Sequence, residues 1–368
     1  MIKLSKSSIG TEEKEAVMEV LQDEYLGMGS KVQEFENKLE DFFSREAVCV
    51  VNGTAALHLA LEACQFKPDS EVLVPSLTYV ASFQSITAAG LKPISCDIET
   101  ENFLLDIKDA EKRITSKTVA IMPVHYSGGV GNLDELYEFA NSNDLRVIED
   151  AAHAFGTKYN DKKIGSFGDI VCFSFDGIKN ITSGEGGCIV SSDNNILDYV
   201  RDARLLGVVK DTDKRFSKSR SWEFDVNSQG WRYHMSNLMA AIGIEQLTKA
   251  DSFFKKRREI AQTYDSIFSD HEKIIPLKRD YKNVVPHIYV VRIKGMNDRN
   301  LIKSKLSEYG IEVGFHYQPN HMLSFYKKEN ISLPVTEKVY KELLTLPLHV
   351  DLSEDDISHI ASSLKKLL

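Results

Sequence analysis

The first 150 residues alternate short, almost wholly apolar runs with stretches of helical periodicity, and no other feature limits the possible folds as much. The apolar runs are AVCVV (47–51), EVLVP (71–75), PISC (93–96), TVAIMPV (118–124) and LRVIED (145–150). A strand with one solvated face alternates polar and apolar residues, whereas a run that is apolar throughout reads as a strand covered on both faces. Between these runs, Val32, Phe35, Leu39, Phe42 and Phe43 have the spacing of one helix face, and further helices are expected from Ala55 to Ala63, over about 79–89 and from Leu133 to Ala140. Strand, helix and strand in this order imply an α/β fold with a largely parallel, doubly wound sheet.

Beyond Asp150 the alternation lapses. IVCFSF (170–175) and GCIVSS (187–192) read as two strands separated by a Gly-rich turn. A helical pattern then begins near Ser236 and runs into KKRREIA (255–261), long enough to connect two units. After it come a β-run HIYVVRI (287–293), a helix near 298–308, a β-run IEVGFHY (311–317), a helix after Pro334 and one at the terminus. A chain of 368 residues exceeds what one hydrophobic core supports. A large domain over 1–250 and a smaller C-terminal α+β domain over 251–368 are therefore expected, with the N-terminal segment packed on the small domain or on a partner subunit.

The formal charge of −9 and a pI near 5.7 argue against a nucleic-acid or anionic-membrane footprint. The five cysteines, Cys49, Cys64, Cys96, Cys172 and Cys188, are scattered and show neither a disulfide framework nor metal-ligand spacing. They read as small buried hydrophobes in a reducing compartment, and no metal is expected. The opening MIKLSKSSIGTEEKEAV has no apolar signal-peptide core, and no run of about 18 apolar residues suggests membrane insertion. A cytoplasmic location is expected.

Three segments carry chemistry. Asn52-Gly53-Thr54-Ala55-Ala56 follows the run 47–51 as a strand, a turn and a helix start, where free N–H groups and the helix dipole favour an anion; Thr54 serves equally as a plain N-cap. Glu149-Asp150-Ala151-Ala152-His153 closes the run 145–150, and ligands of doubly wound sheets bind beyond the carboxyl ends of strands. A carboxylate there suits a protonated ring nitrogen such as that of pyridoxal 5′-phosphate (PLP), as well as a helix cap. The third segment, Phe173-Ser174-Phe175-Asp176-Gly177-Ile178-Lys179 followed by NITSGEGG, decides between these uses. Ser174 can reach a phosphate while Lys179 reaches the aldehyde of the same small molecule as a Schiff base. Neither GxxxxGK[ST] nor a GxGxxG turn after the first strand is present, which removes the P-loop and dinucleotide alternatives.

With VNGTAALHLAL, EVLVPSLTYVAS, VIEDAAHAFG, CFSFDGIKNITSGEGG and GIEVGFHYQPNH on the page, the chain resembles the DegT/StrS family of nucleotide-sugar aminotransferases, PLP enzymes of fold type I, nearly end to end. The resemblance implies that Lys179 binds PLP and shuttles the proton, and that Asp150 holds the pyridine nitrogen. It places His153 at the phenolic oxygen, Tyr79 against the ring face, and Thr54, Ser174 and the N–H groups of Gly53 and Ala55 around the phosphate. His316, Tyr317 and His321 are implied near the sugar. Many members carry Gly-x-Asn-x-Arg-Met where this chain has Gly230-Trp231-Arg232-Tyr233-His234-Met235, so Arg232 or His234 is expected to reach the phosphate of a partner subunit's PLP. Asp176 departs from a position that is often His.

The implied reaction moves an amino group from an L-amino acid, glutamate first, to a keto group of a UDP-, dTDP- or GDP-linked sugar in a homodimer with shared sites. Its products would serve amino sugars of cell-surface polysaccharides such as O-antigen. The alternatives are a non-catalytic regulator that kept the fold, or another fold type I reaction. The basic stretch KDTDKRFSKSRSW (210–222) is a candidate for the substrate diphosphate or simply a solvated loop.

Overall fold

The computed structural model describes every residue except 221, 297, 329 and 330. All seven runs expected as strands up to residue 192 form one sheet. Its strands are β1 (Ala47–Val50), β2 (Glu71–Pro75), β3 (Lys92–Cys96), β4 (Thr118–Ile121), β5 (Arg146–Asp150), β8 (Ile170–Ser174) and β9 (Gly187–Ser191), while β6 (Lys158–Tyr159) and β7 (Lys162–Lys163) make a separate hairpin. The spatial order is β1-β9-β8-β5-β4-β2-β3. Only β9 runs against the others, inserted between β1 and β8. Four helices of the first ninety residues cover the sheet or its rim: α1 (Thr11–Gln22), α2 (Ser30–Phe43), α3 (Gly53–Ala63) and α4 (Val80–Ala88).

The apolar runs are buried on both faces, as their composition demands. β1, β8 and β9 have no exposed residue. One face packs Phe35, Leu39 and Phe43 of α2 against Phe173 and Phe155, and the other packs Leu57, Leu59 and Leu61 of α3 against Val74, Ile148 and Ile189.

The second unit is a three-stranded antiparallel sheet of β10 (Ile274–Pro276), β11 (Tyr289–Ile293) and β12 (Leu343–Leu346), backed by helices Ala250–Phe268, Arg299–Glu308 and Glu354–Lys366 around a core that includes Ile260, Tyr264, Val291, Leu344 and Ile360. Two expectations need correction here. The helical pattern from Ser236 is two helices, Asn237–Thr248 and Ala250–Phe268, that turn at Lys249. The run 311–317 is not a strand. Ile311 and Gly314 make isolated bridges to Ile2 and Thr345, and the chain then leaves the sheet for the strand ends of the large unit. Ile311 and Val313 read as β because they are buried in the core, but burial alone does not supply a neighbouring strand edge.

The two units are joined by apolar contact among Leu77, Ile98, Tyr126, Ile288 and Val339, and by one carboxylate. Asp97, just past β3, accepts the N–H groups of Val335 (3.0 Å) and Thr336 (2.7 Å) and the Thr336 hydroxyl (2.6 Å). It thereby satisfies first-turn donors of helix Pro334–Glu342 from another part of the chain. The N-terminal residues are tied in as well: Ile2 bridges to Ile311, Leu348 donates to the Leu4 carbonyl, and Lys6 pairs with Asp351 at 2.7 Å. No helix among the described residues is long and apolar enough to cross a membrane. Asp97→Ala leaves buried donors unpaired and is expected to lower stability by roughly 2 kcal/mol, read as an earlier urea midpoint without loss of the native helix content.

Candidate active site

Strand pairing alone brings the three chemical segments together. Asp150 ends β5 opposite Cys172 of β8, and Ser174 closes β8 two residues further on. Across β9, Ser174 faces Gly187, which faces Val50 of β1. The turn Asn52-Gly53-Thr54 therefore emerges beside Ser174. A Cβ on Gly53 would lie 2.7 Å from the Ser174 Cβ, and one on Gly187 would lie 2.7 Å from the Asn52 carbonyl carbon, so only glycines permit this approach.

A cavity of about 420 Å³ opens at these strand ends. It is lined by Gly53 and Thr54 at one end, Asp150, His153 and Ser174 at its base, Lys179, Asp176 and Glu185 from the β8–β9 loop, and Tyr79, His316 and Tyr317 at the wall. Of the expected cofactor residues, Gly53, Thr54, Tyr79, Asp150, His153, Ser174 and Lys179 thus share one chamber, with His316 and Tyr317 of the expected substrate residues.

Two expectations are not met by this chain's geometry, those for Ala55 and His321. Ala55 gives its N–H to the Asn52 side chain at 2.8 Å, because Asn52 rather than Thr54 caps α3; the N–H groups of Gly53 and Thr54 remain for an anion. His321 lies buried outside the cavity. Its Nδ1 is 2.7 Å from the Ser76 hydroxyl and its Nε2 is 3.6 Å from Glu337, so it braces the junction of the two units rather than facing a substrate. Arg232 and His234 lie on an extended segment bridged to Leu205 and Val50, away from this cavity. Burial, then the cations Arg232, Arg204 and Arg215, bring His234 down to about 4, so it is uncharged at neutral pH, whereas Arg232 is exposed. In the basic stretch 210–222, whose Ser221 lies outside the described residues, Arg215 pairs with Asp211 and Lys218 with Asp23, and none of its described residues lines the cavity.

The site has partners that no local pattern announced. Ser82 of α4 donates to Asp150 Oδ2 at 2.7 Å and the Ala152 N–H reaches Oδ1 at 3.2 Å, which fixes the carboxylate's orientation. The Ser127 N–H donates to His153 Nδ1 at 3.2 Å, so the neutral ring carries its proton on Nε2, 3.0 Å from the Tyr317 hydroxyl. Burial, reinforced by Lys179 and His316, holds His153 well below the usual histidine range. His287 packs behind it with ring centroids 4.4 Å apart. Burial likewise brings Lys179 down to about 8, against the opposing pull of Asp150 and Asp176. A lysine at that value supplies neutral amine near physiological pH, which a carbonyl-capturing nucleophile requires.

These residues fit PLP. There are free N–H groups and hydroxyls for a phosphate, a held carboxylate for the ring nitrogen, a neutral N–H donor for the phenolic oxygen, and a buried lysine of lowered basicity. Tyr79, 59% exposed and tilted 5.6 Å from Tyr317, offers a ring face. Fold and site together fit a PLP enzyme of fold type I.

Comparison with known proteins supplies the family. The model of the DegT/DnrJ/EryC1/StrS aminotransferase family matches residues 7–365. The chain is 35% identical to GDP-perosamine synthase of Escherichia coli O157:H7 over 99% of its own length and 98% of the synthase. It is 34% identical to the spore coat polysaccharide biosynthesis protein SpsC of Bacillus subtilis, covering 98% of this chain and 95% of that protein. Among solved structures it resembles PseC of Helicobacter pylori, an aminotransferase involved in the biosynthesis of pseudoaminic acid, with a TM-score of 0.92 and 28% identity over 99% of this chain and 98% of PseC. It also resembles the PMP-form of the sugar aminotransferase Spr1654 of Streptococcus pneumoniae, with a TM-score of 0.92 and 30% identity over 100% of this chain and 99% of that one. The chain belongs to the DegT/DnrJ/EryC1/StrS family, the PLP-dependent sugar aminotransferases.

Ser82→Ala removes one charge-assisted donor from Asp150 and is expected to weaken PLP retention by about ten-fold or more, measured by fluorescence titration of the cofactor-free protein. In nitrogen-15 spectra, His153 should be neutral with its proton on Nε2 at about pH 6.5, where an ordinary imidazole is about half charged; a half-charged ring there contradicts the assignment.

Proposed function

We propose that this enzyme transfers an amino group from an L-amino acid, glutamate first, to a keto group on a sugar carried by a nucleoside diphosphate. The observation that carries the reading is the convergence of Lys179, Asp150, Ser174 and Thr54, from three separate segments, on one cavity. The likeness to GDP-perosamine synthase adds weight to GDP beside UDP and dTDP as the carrier.

PLP, when bound, supplies an electron sink for the carbon that loses its proton. Asp150 holds the ring nitrogen's positive charge in place, braced by Ser82 and the Ala152 N–H. Lys179 Nζ would anchor the aldehyde end of PLP and, as an amine of lowered basicity, is placed to carry a proton between the donor's α-carbon and the sugar carbon that receives nitrogen. His153 donates through Nε2 to the phenolic oxygen. Gly53, Thr54 and Ser174 hold the phosphate, the first two through N–H groups at the start of α3. His316 and Tyr317 border the space left for the sugar. Donor and sugar share this one chamber, so the two half-reactions alternate and ping-pong kinetics follow.

We also assign the active form as a homodimer, in which the exposed Arg232, rather than His234, reaches the phosphate site of the other copy. Trp222, Phe224 and Val226, which precede Arg232 by six to ten residues, and Leu206, next to the Leu205 that bridges to Arg232, are exposed apolar residues, as expected of a surface covered by a partner. The two-domain division near residue 250 and a cytoplasmic location complete the proposal.

The purified protein is expected to show a visible PLP absorption band that glutamate bleaches, and Lys179→Ala to lose at least about 10³-fold in turnover; a wild type that takes up no PLP sinks the reading. Mass spectrometry of products from a panel of UDP-, dTDP- and GDP-linked keto-sugars identifies the acceptor. Mixing inactive Lys179→Ala with inactive Arg232→Ala subunits should restore about a quarter of wild-type activity, since half the dimers then hold one intact site; no restoration removes the shared-site arrangement.

A further inference from the structure

The mechanism above leaves one buried charge without a role. Arg257, on helix Ala250–Phe268, is 3% exposed and makes no ion pair among the described residues. A bare buried cation is expensive unless its donors are met. Those of Arg257 meet only main-chain oxygens, and they come from three distant segments: Nη1 to the carbonyls of His287 (3.1 Å) and Leu348 (3.4 Å), and Nη2 to the carbonyl of Lys179 (3.4 Å). Nε has no partner. A rivet with a purely structural purpose would be cheaper with a neutral donor, or with a carboxylate nearby. The carboxylates that act on Lys179 are Asp150 and Asp176, while Asp351, which acts with Arg257 on His349, is already paired with Lys6.

We propose that Arg257 is a positioning residue for Lys179, clamping the lysine's own carbonyl from behind the cavity and fixing a positive charge beneath its side chain. Resting on the assignment of Lys179 as the PLP lysine, the proposal explains why this charge is unpaired: a counter-ion would cancel its effect on the amine. The same guanidinium holds the carbonyl of His287, whose ring backs His153, so one side chain reaches both the lysine and the support of the phenolic-oxygen donor. The charged and titratable groups that act on Lys179 or are acted on by it are Asp150 at the end of β5, Asp176 in its own loop, Arg257 on the helix behind, and His153, His287 and His316. The three histidines are all held below the usual range by burial first and then by Lys179, so at neutral pH they add no charge. That leaves Arg257 as the cation facing the amine, opposing the two carboxylates.

The test is the pH dependence of PLP capture by the cofactor-free, full-length protein, followed by the growth of the visible band in stopped flow. In wild type the rate is expected to rise through a midpoint near 8, because the reactive species is the neutral amine. Arg257→Gln keeps donors for the carbonyls but removes the charge. Its midpoint should move up by about one pH unit, which makes capture about ten-fold slower at pH 7. Arg257→Lys keeps the charge, and its midpoint should stay with wild type. In turnover, the Gln variant should lose kcat while KM for the sugar is unchanged. A folded Gln variant with the wild-type midpoint overturns the proposal, as does a Lys variant displaced as far as the Gln variant. If the Gln variant fails to fold, the Lys variant decides: an unmoved midpoint supports the charge, a displaced one refutes it. A wild-type midpoint near the ordinary lysine value of 10.5 refutes it whatever the variants do. A wild type that captures no PLP at any pH instead removes the assignment of Lys179, a separate failure.

Discussion

Parallel pairing of β5 with β8, which sets Asp150 opposite Cys172, fixes the geometry on which everything else depends. Parallel strands end at the same side of a sheet, so the carboxylate closing one and the hydroxyl closing the next, one strand over and two residues along, are held roughly 8 Å apart without any side-chain contact between them. Inserting β9 in the opposite sense then turns the chain back at the same rim. Its β8–β9 loop therefore carries Lys179 over the strand ends, while its other neighbour, β1, delivers the phosphate-side turn. The loop is pinned by its own backbone, with the Phe175 N–H on the Gly186 carbonyl at 2.7 Å and the Ser183 N–H on the Phe175 carbonyl at 2.9 Å, and by Asn180 and Thr182 bonded to Phe155 and Gln246.

Burial sets the chemical state of the groups gathered there. Desolvation disfavours charge, and it acts on Lys179, His153, His287 and His316 in the same direction. The result is a chamber whose histidines are neutral donors and acceptors and whose lysine is close to losing its proton, lined also by the carboxyl groups of Asp150, Asp176 and Glu185. Proton traffic is thus concentrated on one nitrogen.

The smaller unit contributes the remaining wall. Its segment 311–317 abandons sheet geometry so that His316 and Tyr317 reach the strand ends of the large unit, and Asp97 and the Ser76–His321 contact hold that junction closed. His321 shows how a motif misleads: it stands four residues from Tyr317, yet the turn Asn320–Met322 points it into the interface between the units instead of the cavity.

The sequence by itself determined the sheet, because burial on both faces requires apolar runs and those runs are visible one by one. It also singled out Lys179, Asp150 and Ser174, each at a recognisable strand end or Gly-rich turn, and the fold brings these three to one cavity. Only the tertiary structure decided that Ser82 braces Asp150 from 68 residues away, that a main-chain N–H at Ser127 sets the proton of His153, and that Arg257 reaches the Lys179 carbonyl. The physical reason is the same in each case. A strand's pattern records its burial locally, whereas a hydrogen bond between distant segments leaves no periodicity in either of them, and the charge of a buried group depends on every neighbour that folding brings within reach.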